Sequence, residues 1–194
     1  PEIFNYIETE TKAQKTKTLT GIGEPKFNLD LSAYNESWGR PQNDGPALRG
    51  LNMIKLSHFF YERNYSSLCD NIIRHVIETD LEYILGGYNK PSFDLWEEKY
   101  GWHFYTRVVQ FKFVKEYSLF MTKYSIDYDR DRIEKILYDM LLKIYHHKTE
   151  TGIISSFNID GLVERLNDSS VIMALTHTDF DETILETIDI SMFK

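Results

Sequence analysis

The chain has 194 residues, 42% hydrophobic, 27% charged and 14% aromatic, which is enough apolar material for one sizeable core and too much for a disordered segment. Its 22 Lys and Arg face 30 Asp and Glu, a formal net charge of -8, and the basic residues form no run or stripe, which argues against a nucleic-acid partner. No stretch approaches the roughly 18 consecutive apolar residues of a membrane helix, and the single cysteine, Cys69, excludes an internal disulfide framework and a multi-cysteine zinc site.

The sequence opens at Pro1 with neither Met nor a basic-then-apolar leader, which suggests a processed product or a piece of something longer. Glu2 to about Lys17 places Ile3, Phe4, Tyr6 and Ile7 close together and then turns polar, as an interrupted helix would. Gly21 to Pro46 follows, rich in Gly, Pro, Asn and Asp and without a sustained period. Loops of that length in compact domains usually serve a site. Asp44-Gly45-Pro46 offers an N-cap and an early proline for a helix from about Pro46 to Arg63, along which Leu48, Leu51, Ile54, Phe59 and Phe60 fall at mostly helical spacing. A second helix runs from about Leu68 to Leu85 on a broad apolar face that includes Ile73, Val76, Ile77 and Leu81, with Gly86-Gly87 as its stop. The short break between the two predicts an antiparallel pair, and the neighbourhood of Cys69 predicts a packed thiol.

Tyr88 to Glu98 reads as a second irregular loop that again precedes a helix, from about Phe104 to Lys123. Asp129 to His146 repeats the helical spacing, and shorter helical pieces are expected over Asp160 to Leu166 and Ser170 to His177. No β alternation of useful length is visible. The expectation is one all-α domain of helix pairs, with long loops gathered at one end around a concave site.

The loops carry the chemistry. Loop one contains Tyr34-Asn35-Glu36-Ser37-Trp38-Gly39-Arg40-Pro41, with Asp44 and Arg49 beyond. Flat Trp and Tyr faces suit the C–H faces of pyranose rings, and Asp, Asn and Arg exchange hydrogen bonds with hydroxyls. The same residues also suit a structural role, with Trp38 plugging the domain end and Arg40 pairing with Asp44. Loop two offers Asp94, Leu95, Trp96, Glu97 and Glu98. Glycoside hydrolysis needs a protonated acid at the leaving oxygen and a second carboxylate across the ring. On a helix, Glu97 and Glu98 diverge by about 100° and cannot flank one bond, so they should have different jobs: one an acid raised in pKa by burial against tryptophan, the other a hydroxyl acceptor. Capping of an acidic helix start is the plainer reading. His146-His147 point apart on a helix and no carboxylate sits at a chelating offset, so no metal is expected. Neither a nucleophile elbow nor a Walker pattern is present.

Three strings together, Gly21 to Asn28, Trp38 to Arg49 and Asp94 to Glu98, resemble the fungal and yeast glucoamylases of glycoside hydrolase family 15 in order and separation. Weaker similarity continues through Phe104-Tyr105-Thr106 and Asp168 to His177, while Tyr124 to Gly161 diverges. The resemblance implies a partial (α/α)6 toroid and inverting release of glucose from non-reducing ends of α-1,4-linked glucan, without a cofactor. It maps the general acid onto Glu97 and sugar contacts onto Trp38, Leu95, Trp96 and Glu98. Asp94 supports the acid, and Tyr34, Ser37, Gly39, Arg40 and Asp44 line or brace the mouth. The family's base and its Trp-x-Arg-Asp motif have no counterpart here, so both ends of the family domain are expected to be missing and this segment alone to turn over substrate poorly. The parent is expected to be monomeric, secreted or vacuolar, with an α-glucan or maltooligosaccharide as substrate and neither nucleic acid nor membrane as partner. Sequons at Asn35, Asn64 and Asn167 would permit glycosylation. The competing expectations are a non-catalytic glucan-binding or degenerate fragment, and a toroid glycosidase acting on another glucoside.

Overall fold

The structure, a computed structural model, describes residues 22, 28–29, 36–166 and 168–188. The expected first helix, Tyr34, the sequon asparagines Asn35 and Asn167, and most of the Gly21 to Asn28 string lie outside these residues. In chain order the elements are α1 (Gly45–Tyr61), a helical turn Ser66–Leu68 that runs through a π-helical stretch Cys69–Ile73 into α2 (Arg74–Gly87), β1 (Ser92–Phe93), β2 (Tyr100–His103), α3 (Phe104–Lys123), α4 (Arg130–Tyr145), β3 (Ile154–Asn158), β4 (Val163–Leu166), α5 (Ser169–His177) and α6 (Glu182–Ile188).

The helices follow their apolar faces. α1 packs on α2 and on α3, and α3 in turn packs on α4 and α5. α3 is buried on several sides, with Phe104, Phe111, Phe113 and Phe120 all essentially inaccessible. That explains why its apolar residues crowd the sequence rather than forming one stripe. Cys69 is buried, and burial pushes its thiol up to about 11, as a packed cysteine requires. Polar ties lock the helices in register. Arg49 Nε donates to Asp80 Oδ2 at 2.9 Å between α1 and α2, and Gln110 Nε2 on α3 donates to the Asn43 carbonyl at 2.8 Å ahead of α1. Lys112 and Lys115 converge on Asp181 at 2.9 and 2.8 Å, just before α6.

Three expectations are corrected. Asp44 precedes α1, but its own backbone is already helical and its side chain makes no capping bond. Asp160 to Leu166 is not helical: the chain there forms a turn and strand β4, in a four-stranded antiparallel sheet ordered β1-β2-β3-β4. Loop two does not feed a helix directly, because β2 stands between Glu98 and α3. The sheet escaped the period-two test because β1 has two residues and β3 buries Ile154, Ser155 and Ser156 in succession. His103 stitches it together, with Nε2 2.9 Å from the Ser92 carbonyl and Nδ1 3.0 Å from Ser156 Oγ. His147 is buried beyond α4, its Nδ1 2.6 Å from the Ile154 carbonyl and its Nε2 3.0 Å from Arg107 Nη1. Burial, with Arg107 beside it, pushes this imidazole down to about 3 and keeps it neutral.

Candidate active site

The sheet's role is to hold loop two against loop one. Phe93 N donates to the Pro41 carbonyl at 2.9 Å, so β1 continues onto the loop that carries Trp38, Gly39 and Arg40. Gly39 sits where no side chain fits: a Cβ there would lie 2.7 Å from Phe93 Cδ1 and 3.0 Å from the Glu97 carbonyl oxygen. The two loops therefore meet backbone to ring at Gly39, and the acidic string is pressed onto the tryptophan-bearing one. Arg40 Nη2 donates to the Glu36 carbonyl at 2.8 Å, and its guanidinium lies 5.3 Å from the Trp38 ring centroid. Trp38 is half-buried and Ser37 exposed.

Loop two is a closed turn. Asp94 N donates to the Lys99 carbonyl and Glu97 N to the Asp94 carbonyl, each at 3.0 Å. The buried Asp94 side chain accepts from Glu98 N at 2.8 Å and Lys99 N at 3.1 Å through one oxygen. This self-bonding carboxylate is the mechanism by which Asp side chains close turns. Its consequence is Glu97 at φ 62°, a left-handed conformation that costs a non-glycine residue about 1–3 kcal/mol and persists only where the surroundings enforce it. The capping of a helix start is thereby overturned for Glu97 and Glu98, and so is their separation by helical geometry. The two residues sit instead in a turn, with Glu97 in a left-handed conformation. Glu97 is half-buried and Glu98 exposed.

Sequence reasoning missed Arg165 on β4. Its Nη2 donates to Glu98 Oε2 at 2.6 Å, and its Nη1 lies 3.1 Å from Asp168 Oδ2 and 3.6 Å from Asp94 Oδ2. One guanidinium thus faces three carboxylates, the fork geometry that only arginine offers. Asp168, named in the sequence only as the start of a weaker similarity, caps α5 by accepting from Ser170 N at 2.8 Å. It also accepts from the Trp96 indole N–H at 3.0 Å. Burial pushes the Asp168 carboxyl up, but the Ser170, Trp96 and Arg165 donors outweigh it and hold it below its ordinary value. Trp96 is 39% exposed, with one edge pinned and part of the indole left to solvent. The pattern Asp-Ser-Ser ahead of an apolar run was a legible cap signal, whereas an arginine arriving from a strand has none.

Asp44 is only 6% exposed, so its carboxyl is buried rather than presented to solvent. Burial is the main cause that pushes its carboxyl up to about 6. The N–H groups of Asp44 and Gly45 pull the other way, and Asp94 adds a small upward push. Among the described residues no group of three or more His, Cys, Asp or Glu could hold a metal ion.

The family model for glycosyl hydrolases family 15 matches residues 3–186. Glucoamylase-1 of Arthroderma benhamiae is 38% identical over 120 residues, which cover 59% of this chain and 20% of that protein. The probable glucoamylase of Schizosaccharomyces pombe is 29% identical over 197 residues, 97% of this chain and 43% of that protein. Among solved structures, the glucoamylase of Hormoconis resinae superposes with a TM-score of 0.78 at 26% identity, over 91% of this chain and 31% of that one. The chain spans less than half the length of each of these relatives.

Proposed function

From a chain that belongs to glycosyl hydrolases family 15 and forms part of an (α/α)6 toroid, we propose that it carries the acid half of an inverting, exo-acting glucan 1,4-α-glucosidase. The substrate is the non-reducing end of starch, glycogen or a maltooligosaccharide. Glu97 donates its proton to the glycosidic oxygen as the C1–O bond breaks. Water attacks C1 from the opposite face, and a base outside this segment takes its proton, so free glucose leaves with inverted configuration. Glu98, fixed through one oxygen by Arg165, keeps its other oxygen for a sugar hydroxyl. Trp38 and Trp96 supply flat apolar surface for the ring. A secreted or vacuolar parent fits the sequon at Asn64, which lies in an exposed turn.

The observation that carries this reading is the enforced conformation of Glu97, a left-handed glutamate held by Asp94 and seated on Gly39 within the family match. Glu97→Gln in the full-length protein should lower starch hydrolysis by about a hundredfold or more while glucan binding persists. Near-normal turnover would refute the assignment.

A further inference from the structure

Gly86 and Gly87 end α2, yet neither takes the left-handed conformation that makes glycine a helix stop, and Tyr88 beyond them is still helical in backbone. Their conformational freedom is therefore unused. What is used is the missing side chain: a Cβ at either position meets nothing within 4 Å. The space they leave is a cavity of about 590 Å³, a size typical of small-ligand sites. Two tyrosines, Tyr83 and Tyr100, line it together with Pro41 and Pro91. Tyr83 is fixed by its hydroxyl, which donates to Asn43 Oδ1 at 2.8 Å, and Tyr100 by the Phe93 ring, 5.2 Å away.

The charged groups of the cavity are of both signs. Arg40 and Lys90 border it opposite in charge to Glu82, which is already paired with Arg132 at 2.9 Å. Flat apolar faces with donors and acceptors together suit a neutral, hydroxyl-rich ligand. The cavity also shares a wall with the acid. Arg40 borders it and lies over Trp38, and Phe93 touches Tyr100 as well as the position of Gly39 beneath Glu97.

We propose that this cavity is a second α-glucan site, separate from the cleavage point, which holds a maltooligosaccharide segment against Tyr83 and Tyr100. The proposal rests on the glucan-hydrolase reading above. In the full-length protein with Glu97→Gln, so that glucan is not consumed, calorimetric titration with maltoheptaose should show one binding equivalent more than the same protein carrying Gly87→Leu. That leucine fills open space and favours the helix, so folding is preserved. Tyr100→Ala, which removes one wall, should weaken the same binding event about fivefold. In the Glu97-intact protein Gly87→Leu should keep maltose turnover and raise KM for soluble starch. An unchanged number of binding equivalents in Gly87→Leu, with Tyr100→Ala also unchanged, overturns the second site while maltose hydrolysis leaves the first reading standing. Full activity of Glu97→Gln overturns the first reading instead.

Discussion

Asp44 and His147 are two buried titratable groups whose shifts have opposite signs. The Asp44 carboxyl, pushed up to about 6, holds its proton in the folded chain at pH values where the unfolded chain has lost it. Its contribution to stability is therefore full below the ordinary aspartate value and is lost as pH rises through 6. Asp44→Asn removes the charge that burial penalises and should raise stability at pH 7.5 by about 1–3 kcal/mol, with little change at pH 4. Equal shifts in melting temperature at both values would contradict this. The His147 imidazole, pushed down to about 3, works in the other direction: it stabilises fully above the ordinary histidine value and loses that stability as pH falls toward 3. Gly39 is a residue-scale constraint between the two loops. Gly39→Ala places a methyl 2.7 Å from the Phe93 ring and 3.0 Å from the Glu97 carbonyl, so loop two must move. Turnover should fall at least about tenfold with the fold retained, checked by kinetics beside circular dichroism.

The long helices were legible in the sequence because each presents an apolar face of several turns. α1, α3 and α4, and α2 taken with the helical turn and π-helical stretch that lead into it, lie within a few residues of the spans that periodicity predicts. The strands were not, for two physical reasons. Two- to five-residue strands give too few positions to establish a period, and β3 is buried on consecutive residues, which erases alternation. The acidic string itself stood out in the sequence but was misread as geometry. The sequence shows Asp94 to Glu98, but the bonds from Asp94 to the following N–H groups, and the resulting φ at Glu97, follow from a strand on each side that pattern alone did not reveal. Arg165 reached the site through β4, from a stretch that resemblance had already left as diverged or unassigned. At this scale Asp168 joins elements, capping α5 while holding the Trp96 indole. Asp168→Ala should cost about 1 kcal/mol or more through the lost cap, and should shift Trp96 fluorescence. An unshifted emission spectrum would show that the indole is positioned by other contacts.

Across the whole molecule, the acid half of the proposed reaction falls to residues 38 to 168. Loop one supplies the surface, loop two the carboxylates, and β4 with the start of α5 the arginine and aspartate that hold them. In that proposal this stretch of the toroid carries the proton donor and a stretch outside it carries the base. The step proposed for this site is delivery of a proton from Glu97 to the leaving oxygen. Its most direct measurement compares two substrates in full-length Glu97→Gln. Maltose needs a proton on its departing oxygen, whereas α-glucosyl fluoride releases fluoride without one. With Glu97 as the donor, kcat on maltose should fall by about a hundredfold or more while kcat on the fluoride stays within about tenfold of the unsubstituted protein. Equal losses on both substrates, or no loss on maltose, would contradict it.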